Sequence, residues 1–155
     1  MKSRVLFSVL FAGMVATLNA QTLTSVKYPG ADQTYVMAMN NLGHIVGQAY
    51  FNNRQTPISF LYANGKYTAI AVPNASGTYI NGIAPDNDNI VGMYVNATGK
   101  SRGFTRNGTT HTIKLYNFGP GLSTSLNSLN DPGVACGSYM SDLGSPVAFC
   151  FKPTI

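Results

Sequence analysis

The sequence predicts an all-β fold of three four-stranded units of about 45 residues each, arranged as propeller-like blades. Three observations carry that prediction: a segment recurring at fixed spacing, short runs rich in β-branched and aromatic residues, and turn residues between the runs. The 155 residues contain no Glu and no Trp, and strong helix formers are scarce. Thr, Val, Ile, Tyr and Phe instead share the chain with Gly, Asn and Pro. Branched and ring-bearing side chains suit a pleated, half-buried surface, while Gly, Asn and Pro supply the backbone geometry of tight turns.

The repeat comes first, because its period sets the architecture. Segments 38–47, 83–92 and 128–137 align, and their closing glycines, Gly47, Gly92 and Gly137, stand 45 residues apart. A Tyr follows each glycine closely, as Tyr50, Tyr94 and Tyr139. Phe60, Phe104 and Phe149 come next, at spacings of 44 and 45. A further element recurs at 67–73 and 111–116, with a copy at 23–29 ahead of the first unit. The units therefore run over about 34–76, 77–121 and 122–155.

Within the first unit the strands fall at about 34–39, 44–51, 57–63 and 66–72. Asn41-Leu42-Gly43, Asp86-Asn87-Asp88 and Asp131-Pro132-Gly133 separate the first two strands of each unit. Gly and Asn tolerate positive φ and Pro presets a turn position, so these are hairpin connections. Asn64-Gly65 and Asn107-Gly108 carry the same signal between the third and fourth strands. Pairing Cys136 with Cys150 across adjacent strands places Gly137 opposite Phe149, and the same offset sets Gly92 against Phe104 and Gly47 against Phe60. A ring laid across a bare glycine backbone recovers apolar burial that the strand would otherwise forfeit, so these six positions read as structural.

The third unit lacks a fourth strand, and the spare copy at 23–29 is expected to complete it and close a ring. Closure would remove open sheet edges. Propellers usually have four to eight blades, so a β-trefoil or prism-like three-fold barrel is the alternative, as are an open stack of units and a six-bladed ring made by two chains in a homo-oligomer.

Both ends of the chain, and its charge, bear on where it works. Met1-Lys2-Ser3-Arg4 is basic, residues 5–18 are mainly apolar, and Ala20 is a small residue before Gln21. That is the layout of a signal peptide over 1–20, too short to span a bilayer, leaving 21–155 as one secreted domain, extracellular or periplasmic, without a membrane span after cleavage. The formal charge is +5, and loss of Lys2 and Arg4 lowers it to +3. No basic stripe of the kind that binds nucleic acid is present.

The motif Met-Asn-Asn-Leu-Gly-His-Ile-Val-Gly at 39–47, then Phe60-Leu-Tyr-Ala-Asn-Gly-Lys-Tyr-Thr68 and Val72-Pro-Asn-Ala75, resembles the bacterial extracellular repeats of the HAF family. The resemblance spans about 24–151 and is strongest at 35–65; of the His-Ala-Phe triplet only Phe60, Phe104 and Phe149 remain. It implies an exported, propeller-like β-repeat, and it brings no catalytic residues to transfer.

Candidate chemistry is sparse. Cys136 and Cys150 are the only cysteines, and an oxidising compartment favours their disulfide. Asp86-Asn87-Asp88-Asn89 lacks the glycine and the bidentate Glu of a calcium loop, so no metal is expected, and no motif calls for a cofactor. His44 and His111 have no nucleophile elbow to serve, and the five Asp fall in turns, so the protein is not expected to be an enzyme, with hydrolysis the weakest alternative. Tyr50, Tyr94 and Tyr139 are the candidate ligand-binding residues, since Tyr beside Asn can stack on sugars. Lys100, Arg102 and Arg106 alternate along one strand, solvated in the simplest reading. The expected function is a binding or adhesion module for carbohydrate or another cell-surface ligand, with a self-assembling surface protein as the alternative.

Overall fold

The computed structural model describes residues 24–52, 55–118 and 123–153; the signal peptide expected at 1–20 lies outside them. Among the described residues there is no helix, and eleven strands form three antiparallel sheets. The first holds β1 (Gln33–Met39), β2 (Ile45–Tyr50), β3 (Ile58–Ala63) and β4 (Lys66–Ile70) in that order. The second holds β5 (Gly77–Ile83), β6 (Ile90–Val95), β7 (Ser101–Arg106) and β8 (Ile113–Tyr116), also in order. The third has β9 (Thr124–Leu129), β10 (Ala135–Met140) and β11 (Pro146–Phe151), with β10 in the middle.

The predicted register is present throughout: Gly47 pairs with Phe60, Gly92 with Phe104, Gly137 with Phe149 and Cys136 with Cys150. Each first strand also carries a bulge at the same place, passing Met37, Asn81 or Asn127. A Cβ on Gly47 or Gly92 would meet the Phe60 or Phe104 ring at 2.5 and 2.8 Å, and it would strike the carbonyl oxygen of Tyr35 or Tyr79 even sooner. At Gly137 the nearest obstacles are backbone, the Ser125 carbonyl and Leu126 Cα, and the Phe149 ring packs on Phe118 at 4.5 Å. Close approach of the bulged neighbour, more than the ring, is what excludes a side chain here.

Alternation gives every sheet two faces, one carrying the Gly and Phe positions and one carrying the residues between them. The second face of each sheet packs on the Gly-Phe face of the next. Val46, Leu61, Ile70 and Val72 meet Ile80, Ile83, Ile90 and Phe104 in one buried cluster. Val91 and Ala84 meet Leu126, Leu129 and Ala135 in another. Thus β5 lies against β1, β2 and β3, and β9 against β5, β6 and β7, while no strand of the first sheet packs extensively on the third.

Polar side chains finish these junctions. Ser59 Oγ donates to the Thr78 carbonyl at 2.8 Å and accepts from Ile80 N–H at 3.2 Å, and Gln48 Nε2 donates to the Ile80 carbonyl at 3.2 Å. At the next junction Asn81 Nδ2 donates to the Leu126 carbonyl at 2.9 Å. The outer edge of β5 or β9 would otherwise bury unpaired backbone groups, so the preceding unit supplies their partners.

Closure, as a ring or a three-fold barrel, is not shown; none of the three sheets closes. The segment expected to complete the third sheet contains no strand over its described residues. Tyr28 packs instead on the first sheet, against Phe51, Phe60 and Tyr67 at 5.9, 5.4 and 5.1 Å. The reason is local. Tyr28 N–H donates to Thr34 Oγ1 at 3.0 Å, as Val72 N–H does to Thr78 at 2.9 Å and Phe118 N–H to Thr124 at 3.1 Å. The same hydroxyl hook ties the segment before each unit to that unit's first strand, so this segment leads into the unit after it.

Asn64-Gly65 forms the predicted tight turn, with φ of 50° and 76°. Asn107-Gly108 does not. Its Asn caps the N–H groups of Thr109 and Thr110 in a longer loop, and His111 takes the positive φ. Gly108 is required there because a Cβ would meet the Asp88 backbone at 2.6 Å.

Candidate functional site

The hairpin turns between first and second strands gather at one end of the array. Asn41 Nδ2 donates to Asp86 Oδ1 at 2.7 Å, and Asp86 N–H donates to Asp131 Oδ1 at 2.8 Å, so equivalent turn positions of all three units are linked in series. Beside them Asn40 is buried; its Oδ1 accepts from the N–H of Leu42 and His44, and its Nδ2 donates to Asp88 Oδ1 at 3.0 Å. His44 Nδ1 lies 2.8 Å from the same Asp88 oxygen.

Two expectations change here. No Asp partner for His44 was visible in the sequence, because His44 and Asp88 lie 44 residues apart and meet only through the stacking of units. Arg106 is not solvated: it is 6% exposed, and its Nη1 is buried without a hydrogen-bond partner. Burial pushes the guanidinium pKa down, while Asp88 nearby pulls it back. No hydroxyl or thiol among the described contacts stands on the His44–Asp88 pair as a nucleophile would, so the group reads as a polar tie between units.

The far end of β2 presents a different surface. Tyr50 pairs with Gln33, and Tyr35 with Gln48, across β1 and β2. The Tyr35 and Tyr50 rings meet edge to face at 5.7 Å, with Tyr50 Oη donating to Gln48 Oε1 at 3.1 Å and Tyr35 Oη to Gln33 Oε1 at 3.0 Å. Tyr79, equivalent to Tyr35 in the second unit, is close enough to act on the Tyr50 phenol. Burial first, then Tyr79 and Tyr35, raise the Tyr50 pKa above its ordinary value, so the hydroxyl stays a donor at neutral and mildly alkaline pH. Tyr35 remains 52% exposed. Two of the three tyrosines, Tyr35 and Tyr50, are fixed by glutamines, with no charged group among those partners.

The three recurring tyrosines are not equivalent. Tyr94 and Tyr139 pair with Thr78 and Thr124, the place held by Ala49 opposite Thr34 in the first unit. One residue's displacement puts Tyr50 on the opposite face of its sheet. Tyr94 packs against the first junction, and Tyr139 lies 5.9 Å from Phe149 within its own sheet. Sequence reasoning missed Tyr35 and Tyr79, which stand 12 and 13 residues ahead of Gly47 and Gly92.

Cys136 and Cys150 form the predicted disulfide, with Cα atoms 4.1 Å apart. No group of three or more His, Cys, Asp or Glu able to hold a metal occurs among the described residues. A search of protein-family models, curated proteins and solved structures returns no match to this chain.

Proposed function

We propose that the protein is a secreted, non-enzymatic binding module, a propeller-like array of HAF-type repeats that holds carbohydrate of a cell surface or extracellular polymer on the Tyr35–Tyr50–Tyr79 patch. The observation that carries this reading is the exposed Tyr35 ring, locked edge to face on Tyr50 and braced by Gln33 and Gln48. Rigid phenols present an apolar face to a sugar ring and a hydroxyl to its rim, and glutamine amides complete the polar contacts. Export is supported by the disulfide and by the leader-like start; no helix of the described residues is long and apolar enough to cross a membrane. The propeller-like reading rests on successive antiparallel sheets of four, four and three strands packed face to face in chain order.

A glycan array tests the ligand class: binding above that of denatured protein is expected, and none would remove the carbohydrate reading. Tyr35→Ala should then weaken the best ligand roughly five- to tenfold, the worth of about 1 kcal/mol for a stacked ring. Unchanged affinity in that variant would move the site elsewhere.

A further inference from the structure

The first and last units each leave exposed a set of apolar side chains that the junctions of the array bury everywhere else. Val36, Ile80 and Leu126 are equivalent, each opposite the glycine of its unit, yet Val36 is 51% exposed while Ile80 and Leu126 are at 0%. Met39, Ile83 and Leu129 are equivalent as well, at 66%, 7% and 6%. In the second and third units these side chains lie under the preceding unit; in the first, Tyr28 and its neighbours cover Phe60 and Ala49 but leave Val36 and Met39 exposed. At the other end, the Val46–Leu61 and Val91–Thr105 pairs face a following unit and are buried, whereas their equivalent is the Cys136–Cys150 pair, with Cys150 exposed. Ser138, Met140, Pro146 and Ala148 surround that disulfide on the same face. Neither set includes a charged side chain.

We infer that these two faces are the halves of one more junction, and that a second copy of this chain fills it, the disulfide face of one copy seating on Val36 and Met39 of the other. The occupant is argued from the array itself: twice within one chain, the surface equivalent to Val36 and Met39 is covered by the second face of a repeat unit. The outer edge of β1 matches as well, since its equivalents in β5 and β9 take their polar partners from the preceding unit. A head-to-tail contact closes into a ring if its rotation permits and otherwise runs on as a series. The inference is independent of the carbohydrate reading.

The full chain, produced in an exporting host, is expected to show at least twice the monomer mass by light scattering at micromolar concentration; a strict monomer overturns the inference. Two variants test the pairing of faces, V36K/M39K at the front and M140K/A148K at the back, each with its disulfide confirmed by intact mass. Each alone should be monomeric, and a mixture should recover a one-to-one dimer, because each contributes its intact face. If the back variant alone still dimerises, the fronts pair with each other and the head-to-tail contact is wrong. If neither variant lowers the mass, the copies associate elsewhere and the inference falls.

Discussion

Strands β1 and β5 hold the same place in their sheets, pair with their neighbours in the same register and bulge at the same point. They differ in what lies before them. β5 is buried along most of its length beneath the first sheet, and its edge carbonyls are taken up by Ser59 and Gln48. β1 is exposed along most of its length, with Tyr35, Val36, Met37 and Met39 all open. Burial in this molecule is thus a property of position in the array, and the same apolar pattern yields a core strand or a surface strand according to whether a unit precedes it.

Ile80→Ala makes the sharpest test of that comparison. It should cost about 3 kcal/mol in urea unfolding, within the range for core truncations, while Val36→Ala at the equivalent position, made in the monomeric M140K/A148K background, should cost less than about 0.5 kcal/mol. Equal losses would show that β1 is as buried in solution as β5. The disulfide comes next. Cys136→Ser with Cys150→Ser removes a cross-link between residues 14 apart and should cost about 3 kcal/mol in the chain-entropy account. Unfolding with and without reductant checks this, and an unchanged midpoint would mean that β10 and β11 are held by packing alone. Asp88→Asn should cost less than the loss of the disulfide, about 1–2 kcal/mol, since it keeps a hydrogen-bonding side chain but removes the charge shared by His44 and Arg106. Its loss should not add to that of His44→Ala, because both act through one contact; full additivity in a double-mutant cycle would separate the two residues.

The repeat was legible because its signals are local. Gly47, Gly92 and Gly137 mark where a bulged neighbour comes too close for any Cβ, and the strand pairs around them follow from alternation and short turns. Misreadings arose where one residue of register or one loop residue decides the outcome. Tyr50 looked like Tyr94 and Tyr139 in spacing, yet the extra residue after Gly47 turns it to the other face. Asn107-Gly108 looked like a tight turn, although Gly108 is there because Asp88 presses on it. Of the tyrosine patch proposed for binding, only Tyr50 was legible, since Tyr35 and Tyr79 reach it through strand pairing and unit stacking.

By itself the sequence determined the three sheets and the register within them, apart from the strand expected at 23–29, and the Cys136–Cys150 pair, because each rests on side-chain period, turn chemistry or the reach of adjacent strands. Tertiary structure alone decided which copy of each repeated residue is buried, that Tyr28 belongs with the first unit, and that His44, Asp88 and Arg106 come together. Those outcomes depend on which face of one sheet meets which face of the next. That is a choice of packing between units about 45 residues apart, and no local pattern encodes it.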